Sequence, residues 1–268
     1  MRLDHVVILV PDLHKAMNDY TDLGFTVLPG GAHADGLTEN ALIAFADGSY
    51  LELIAFNDPG TPQLHRWWRF VATGGGLIDY ALGCTGLQPH IDVLADKQLA
   101  FDGPHPNGRQ RPDGTSLRWL GAFAPPASGL PFLIEDLTPR DLRVASGTAT
   151  DHANGARGVC RVVVGVTDLP AALERFVQLL DEWPPAVVQD AGLEANVAHF
   201  ALGQATLTLA HPMMQAGPLA AELAVRGPGL YAIGLTVEGE HATGWLDRQQ
   251  TQGARLELVA AGQGNGSP

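Results

Sequence analysis

Apolar and polar positions along the chain change period several times, and each change marks an element. Residues 3–10 (LDHVVILV) are an apolar run of strand length, rich in β-branched side chains. Pro11-Asp12-Leu13 then opens a helix: Asp12 suits the N-cap, and Leu13, Ala16, Met17 and Tyr20 recur at helical spacing. Gly24 is the expected stop. Residues 25–28, 40–45 and 50–56 read as strands, with a Gly-rich loop after the first and the turn signal Asp47-Gly48 between the last two. The order is β-α-β-β-β within the first sixty residues.

The same order recurs more loosely. Residues 77–84 predict a strand, 89–99 a short helix, 109–111 a strand edge, and 115–123 and 130–137 two further strands. Residues 138–157 lack apolar periodicity and predict a linker. A third copy starts with the strand 159–166 and a helix opened by Thr167-Asp168-Leu169-Pro170, followed by strands at 186–188, 197–202 and 206–210. A strand at 230–237, a helix around 241–250 and a strand at 255–259 predict a fourth copy that stops early. Units this short bury both faces only by pairing, so the expected organisation is one domain over 1–138, a linker over 139–157 and a second, degenerate domain over 158–268.

Charge narrows the partners. With 29 acidic and 16 basic residues the chain carries a formal −13, which repels nucleic acid and anionic membrane surfaces. No apolar run approaches the ~18 residues of a membrane span. The N-terminus lacks a signal-peptide pattern, so a cytoplasmic location is expected. Cys84 and Cys160 sit in separate apolar runs and read as reduced core residues. Gly74-Gly75-Gly76 has no following Lys-Ser/Thr, and no serine stands in a Gly-x-Ser-x-Gly elbow.

The segments LDHVVILVPDL, NALIAFADGSYLELIAF, RPDGTSLRW and LPFLIEDL resemble the glyoxalase-like domains of the vicinal oxygen chelate superfamily. That resemblance implies an α+β fold in which paired βαβββ modules curve around a cleft. It also implies a divalent metal (Mn, Fe, Zn, Ni or Mg) held by the first and fourth strands of each module. Carried over by position, His5 and Glu52 are the ligands of the first module. Aligning Gly86-Leu87 with Asp12-Leu13 puts Asp79 opposite His5, and Glu135 falls opposite Glu52. Glu52 and Glu135 are then the candidate bases for lyase- or isomerase-type chemistry on a small oxygen-chelating substrate, with the metal stabilising an oxyanion. The superfamily also holds drug-binding proteins without chemistry, so a non-catalytic ligand-binding protein is the alternative, and a homodimer is compatible with either. In the second half the same alignment puts Arg161 opposite His5 and Leu207 opposite Glu52, which is no metal site.

Each residue also has a structural reading. His5 can be a core histidine satisfied by the backbone, Glu52 and Glu135 can face solvent, and Asp79 can be a capping residue. Asn40, Trp68, Arg111 and Trp119 are the candidate substrate contacts. The tryptophans suit a flat ligand, and the arginines 109, 111 and 118 an anionic group. Packing of Trp67 and Trp68 on the sheet and solvated strand-edge arginines are the competing readings.

Overall fold

The apolar run at the N-terminus is strand β1 (Arg2–Leu9), and the helix after it is α1 (Leu13–Asp22). Asp12 caps α1 by accepting from the Lys15 N–H, and Leu13, Ala16 and Tyr20 are its buried stripe. The chain leaves α1 through Gly24 at φ +87, a conformation that favours glycine. Strands β2 (Leu28–Ala32), β3 (Thr38–Ala44) and β4 (Tyr50–Phe56) complete the first module. The second contains β5 (Gly76–Gly83), α2 (Leu87–Asp96), β6 (Asp102–Gln110), β7 (Ser116–Phe123) and β8 (Phe132–Asp136). This is a computed structural model, and it describes residues 1–111, 113–126 and 128–262.

The two modules share one eight-stranded sheet, ordered β2-β3-β4-β1-β5-β8-β7-β6. Strands β1 and β5 meet antiparallel at the centre, and each has its module's last strand parallel beside it. The second half repeats the plan in a seven-stranded sheet. It contains β9 (Ala156–Gly165), α4 (Leu169–Leu180), β10 (Val187–Asp190), β11 (Ala195–Leu202), β12 (Ala205–Pro212), α5 (Pro218–Arg226), β13 (Gly229–Val237), β14 (Gly244–Trp245) and β15 (Leu256–Ala260). Among the described residues no helix is long and apolar enough to cross a membrane.

One apolar core joins the halves. Val6, Ile8, Leu51 and Leu53 of the first sheet, Val162, Val164, Leu207 and Leu209 of the second, and the apolar stripes of α1, α2 and α4 form a single cluster. Each fully buried Leu, Ile, Val or Phe contributes about 1.5–3 kcal/mol by leaving water. Polar links reinforce it: the Tyr20 hydroxyl donates to Thr251 O at 3.0 Å, and Arg226 Nη2 donates to Leu77 O at 2.8 Å.

Two strands shift from their expected places: β2 runs over 28–32 rather than 25–28, and β6 starts at Asp102 rather than at 109. Three further expectations change. Residues 241–250 form no helix; they hold the short strand β14 and turns, with Gly244 at φ +118 and too few apolar positions for a buried stripe. A helix absent from the sequence reading, α5, starts with Pro218 in its first turn and buries Leu219 and Leu223. The stretch 139–157 carries a short helix, α3 (Arg140–Arg143), whose arginines reach under the first sheet.

Candidate functional site

Strand alternation divides the first sheet into two faces. Val6 and Ile8 enter the shared core, while Val7 and Leu9 pack on the opposite face with Trp67, Phe70 and Phe132. His5 belongs to that second face. The parallel register pairs His5 with Tyr50 and Val7 with Glu52, so the His5, Tyr50 and Glu52 side chains share it. There the sheet curves around a cavity of about 100 Å³. Leu42, Tyr50, Trp119, Phe123, Phe132 and Ile134 form its apolar lining, and His65, Arg66 and Trp67 close one side.

The polar floor is built around Glu52. Its carboxylate accepts from Asn40 Nδ2 at 2.5 Å and lies 3.4 Å from His5 Nε2 through Oε2 and 3.4 Å from His33 Nε2 through Oε1. His33 Nδ1 is 2.7 Å from the Thr38 hydroxyl, and His5 Nδ1 is 2.7 Å from Asp4 Oδ1. Tyr50 stacks on the His5 ring with centroids 4.5 Å apart. A register shift of β1 against β5 between Leu3 and His5 takes Asp4 out of strict alternation, which explains how two consecutive residues meet.

Behind Asp4 stands α3. Arg143 donates to both Asp4 oxygens at 2.9 and 3.1 Å, to both Asp136 oxygens at 2.6 and 2.9 Å, and to the Tyr50 hydroxyl at 2.7 Å. Arg140 adds a contact to Asp4 and donates to Gly48 O at 2.8 Å. On the other side, Arg109 donates to Asn40 Oδ1 and to Arg143 O, both at 3.1 Å. Gly30 makes room here: a Cβ on it would collide with Asn40 Oδ1 and Arg109 Nη1.

Burial alone would raise the Asp4 carboxyl, but the Arg143 charge and the hydrogen bonds from His5 and Arg143 outweigh it and hold Asp4 well below the usual range. Burial likewise works against Glu52, and the His33 and His5 contacts pull it well below the ordinary carboxylate value. Burial disfavours the His5 imidazolium, while the bonds to Asp4 and Glu52 prevail and raise it. The lowered carboxyls give stability that is present above their unfolded values, 3.8 and 4.5, and is lost as pH falls through the folded ones. The raised histidine gives stability that is full below 6.5 and is lost as pH rises through its folded value. Burial raises Asp47 and Asp79, which act in the opposite sense to Asp4 and Glu52 on the acid side. Burial lowers His65, His90, His152 and His199, whose stability is present above 6.5 and is lost as pH falls below it, opposing His5. We expect Tm to fall as pH drops below about 4.5, with that acid loss governed by the densely paired Asp4 and Glu52. A Tm that stays level from pH 6 to pH 3 contradicts this assignment.

The structure gathers part of the residue set taken from the sequence. His5, Glu52, Asn40 and Trp119 line the cavity. Asp79 does not join them. It pairs with Val7, while Ala81 stands opposite His5; its carboxylate accepts from Trp67 Nε1 at 2.8 Å and meets Arg66 at 3.1 Å. Asp79 thus fastens the 65–70 segment to β5. Ala81 pairs with Phe132, and Gly83 with Ile134, as His5 pairs with Tyr50 and Val7 with Glu52. In the second module Ala81 and Ile134 therefore hold the two candidate ligand places, and both are apolar.

Glu135 follows Ile134 and points away from the cavity. Its carboxylate accepts from Gly86 N at 2.7 Å and Leu87 N at 2.9 Å, capping α2, whose N-cap Gly86 supplies no side chain. Glu135→Ala is expected to cost about 1 kcal/mol in thermal unfolding, the loss of one helix cap, and to leave ligand binding at wild-type strength. A loss of binding would place Glu135 in the site.

Trp68 packs edge-on against Phe56 at 4.8 Å, outside the cavity, and its neighbour Trp67 supplies the wall. Arg111 is held by Leu142 O at 3.3 Å and Asp113 at 3.5 Å, and Arg118 is exposed. The three residues that the sequence reading left out of its set, His33, Arg109 and Arg143, complete the floor. In the second half Arg161 holds the place of His5 and is paired with Glu257. Thr208, rather than Leu207, holds the place of Glu52, because Thr208 pairs with Val163.

The donor set can be tested against a divalent metal. Of the four candidate ligands only His5 and Glu52 meet, and His33 approaches the other Glu52 oxygen, so the two imidazoles flank the carboxylate. Among the described residues no three His, Cys, Asp or Glu converge as a metal site. Glu52 is already satisfied by Asn40 and the two rings. The four residues taken from the sequence therefore do not assemble as a metal site.

A family model described as a glyoxalase-like domain matches residues 3–180. No curated protein matches the chain by sequence. Among solved structures, a hypothetical protein from Staphylococcus aureus superposes with TM-score 0.72 at 12% identity, covering 96% of this chain and 98% of that one. A variant of 4-hydroxymandelate synthase from Streptomyces coelicolor gives 0.62 at 16% identity, covering 97% and 92%. At such identities the likeness establishes the fold alone.

Proposed function

Because the chain belongs to the glyoxalase-like domain family, we propose that its first-half cleft is the active site of an enzyme that moves a proton on a small oxygen-bearing substrate. The chemistry is of the lyase or isomerase kind. The observation that carries this reading is Glu52: a buried, ionised carboxylate on the floor of an open cavity, between two imidazoles.

Glu52 is the base in this reading. His33 and His5 keep its basicity low, against the effect of burial. A substrate that displaces His33 removes one of them and returns the carboxylate toward the range where it takes up a proton. His5, held by Asp4, steadies the remaining charge and fixes the carboxylate's orientation. The aromatic walls exclude water and strengthen these interactions. Given the donor set described above, no step is assigned to a metal. A cytoplasmic location belongs to the same proposal and is supported by two unpaired, half-buried cysteines.

The second reading, a binding protein without chemistry, is favoured by the walls of Trp67, Trp119, Phe123 and Phe132. Exchange of carbon-bound protons for deuterium separates the two. A panel of 2-oxo acids and α-hydroxy ketones is followed by NMR with wild type and Glu52→Gln. Accelerated exchange with wild type, lost in the variant, supports the enzyme; binding without exchange supports the carrier.

A further inference from the structure

Arg109 is 6% exposed and faces the cavity. A guanidinium offers five N–H donors in a fork that matches a carboxylate. Arg109 uses Nη1 on Asn40 Oδ1 and Nη2 on Arg143 O, both neutral acceptors. Among the described residues no carboxylate forms an ion pair with it. Arg143, the other arginine buried this deeply, is paired with both Asp4 and Asp136.

Its surroundings do not supply the missing charge. Glu52 is separated from Arg109 by the Asn40 amide and is met by His5 and His33. Asp4 and Asp136 are taken up by Arg143 and Arg140, so neither is free for Arg109. Asp35, at the mouth, is exposed to solvent. Burial pulls the Arg109 pKa down, as expected for a cation whose hydration is only partly replaced. A flat apolar body has a place beside it: Trp119, Phe123 and Phe132 line the same cavity, the two Phe rings 5.5 Å apart at 30°.

We infer that the ligand of this cleft is a small carboxylate with a flat apolar body, its carboxylate paired with Arg109 and its body held between the aromatic walls. This rests on the reading of the cleft as the ligand site and adds the class of molecule it takes. An ion pair of this kind, made away from bulk water, is worth at least about tenfold in affinity over a neutral hydrogen bond.

Benzoate and its neutral counterpart benzamide are suitable probes, followed by calorimetry and by the fluorescence of Trp67 and Trp119. Wild type is expected to bind benzoate at least about tenfold more tightly than benzamide. Arg109→Gln should abolish that preference, Arg109→Lys should keep part of it, and Glu52→Gln should still bind benzoate while losing proton exchange. Equal binding of the two probes to wild type, no binding of benzoate, or a preference that survives Arg109→Gln overturns the inference. Should Arg109→Gln fail to fold, the wild-type preference and Arg109→Lys decide it. Benzoate binding that depends on Arg109, with exchange unaffected by Glu52→Gln, would sink the catalytic reading and keep this one.

Discussion

Arg143→Ala is expected to destabilise the protein by about 3–5 kcal/mol, the cost of leaving buried carboxylates without their cation. Asp4 is 1% exposed and Asp136 is part-buried, and Arg143 donates to both oxygens of each. Arg140 also reaches Asp4 but is itself part-exposed, so it replaces only a fraction of the lost charge. For a chain of this size the loss corresponds to a fall in Tm on the order of 10 °C. Lysine at 143 should recover little, because a point charge cannot face two carboxylates with paired N–H groups. Arg118→Ala, at an exposed strand position, should stay within about 0.5 kcal/mol and serves as the control. A Tm unchanged in Arg143→Ala would mean that α3 is not anchored as described.

Glu52→Gln should lower proton exchange by about 10²–10⁴-fold, the usual contribution of a positioned base. The change keeps the side-chain volume and the possibility of accepting from Asn40, so the walls stay in place. It removes the negative charge that favours the His5 imidazolium, and the His5 pKa should fall accordingly, as read from the ring signals by NMR. A variant that kept both wild-type exchange and the wild-type histidine titration would remove Glu52 from the centre of the site.

The sequence carried the first module well because its signals are local. Asp12 as a cap, Gly24 as a stop and Asp47-Gly48 as a turn each act within a few residues, and each stands where the pattern put it. His5 and Glu52 meet because one strand pairing brings them together. The second module was harder to align. His5 precedes the first residue of α1 by eight positions, but Ala81 precedes that of α2 by six. An alignment anchored on the helix start therefore slides β5 by two residues and selects Asp79. Glu135 fell to the alternation of faces: the cavity takes Ile134, and the next residue points the other way.

His33, Arg109 and Arg143 had weaker signals. Arg143 lies in a stretch without apolar period, and its role depends on carboxylates at positions 4 and 136. Arg109 is one of three nearby arginines in a segment rich in glycine and proline, and strand alternation alone would put it on one face with Arg111; the two part because β6 ends at Gln110. Gly30 was the available clue to close packing over Asn40, but a glycine pair in a loop reads first as a turn.

The central claim is that Glu52 works as a hydrogen-bonded carboxylate, with no metal among its partners. Metal content by mass spectrometry tests this directly, on wild type, His5→Ala and Glu52→Ala after loading with Mn, Fe, Zn and Ni. The account predicts far less than one ion per chain in wild type and no difference among the three proteins. Close to one ion per chain in wild type, lost in both variants, would contradict it and make His5 and Glu52 metal ligands.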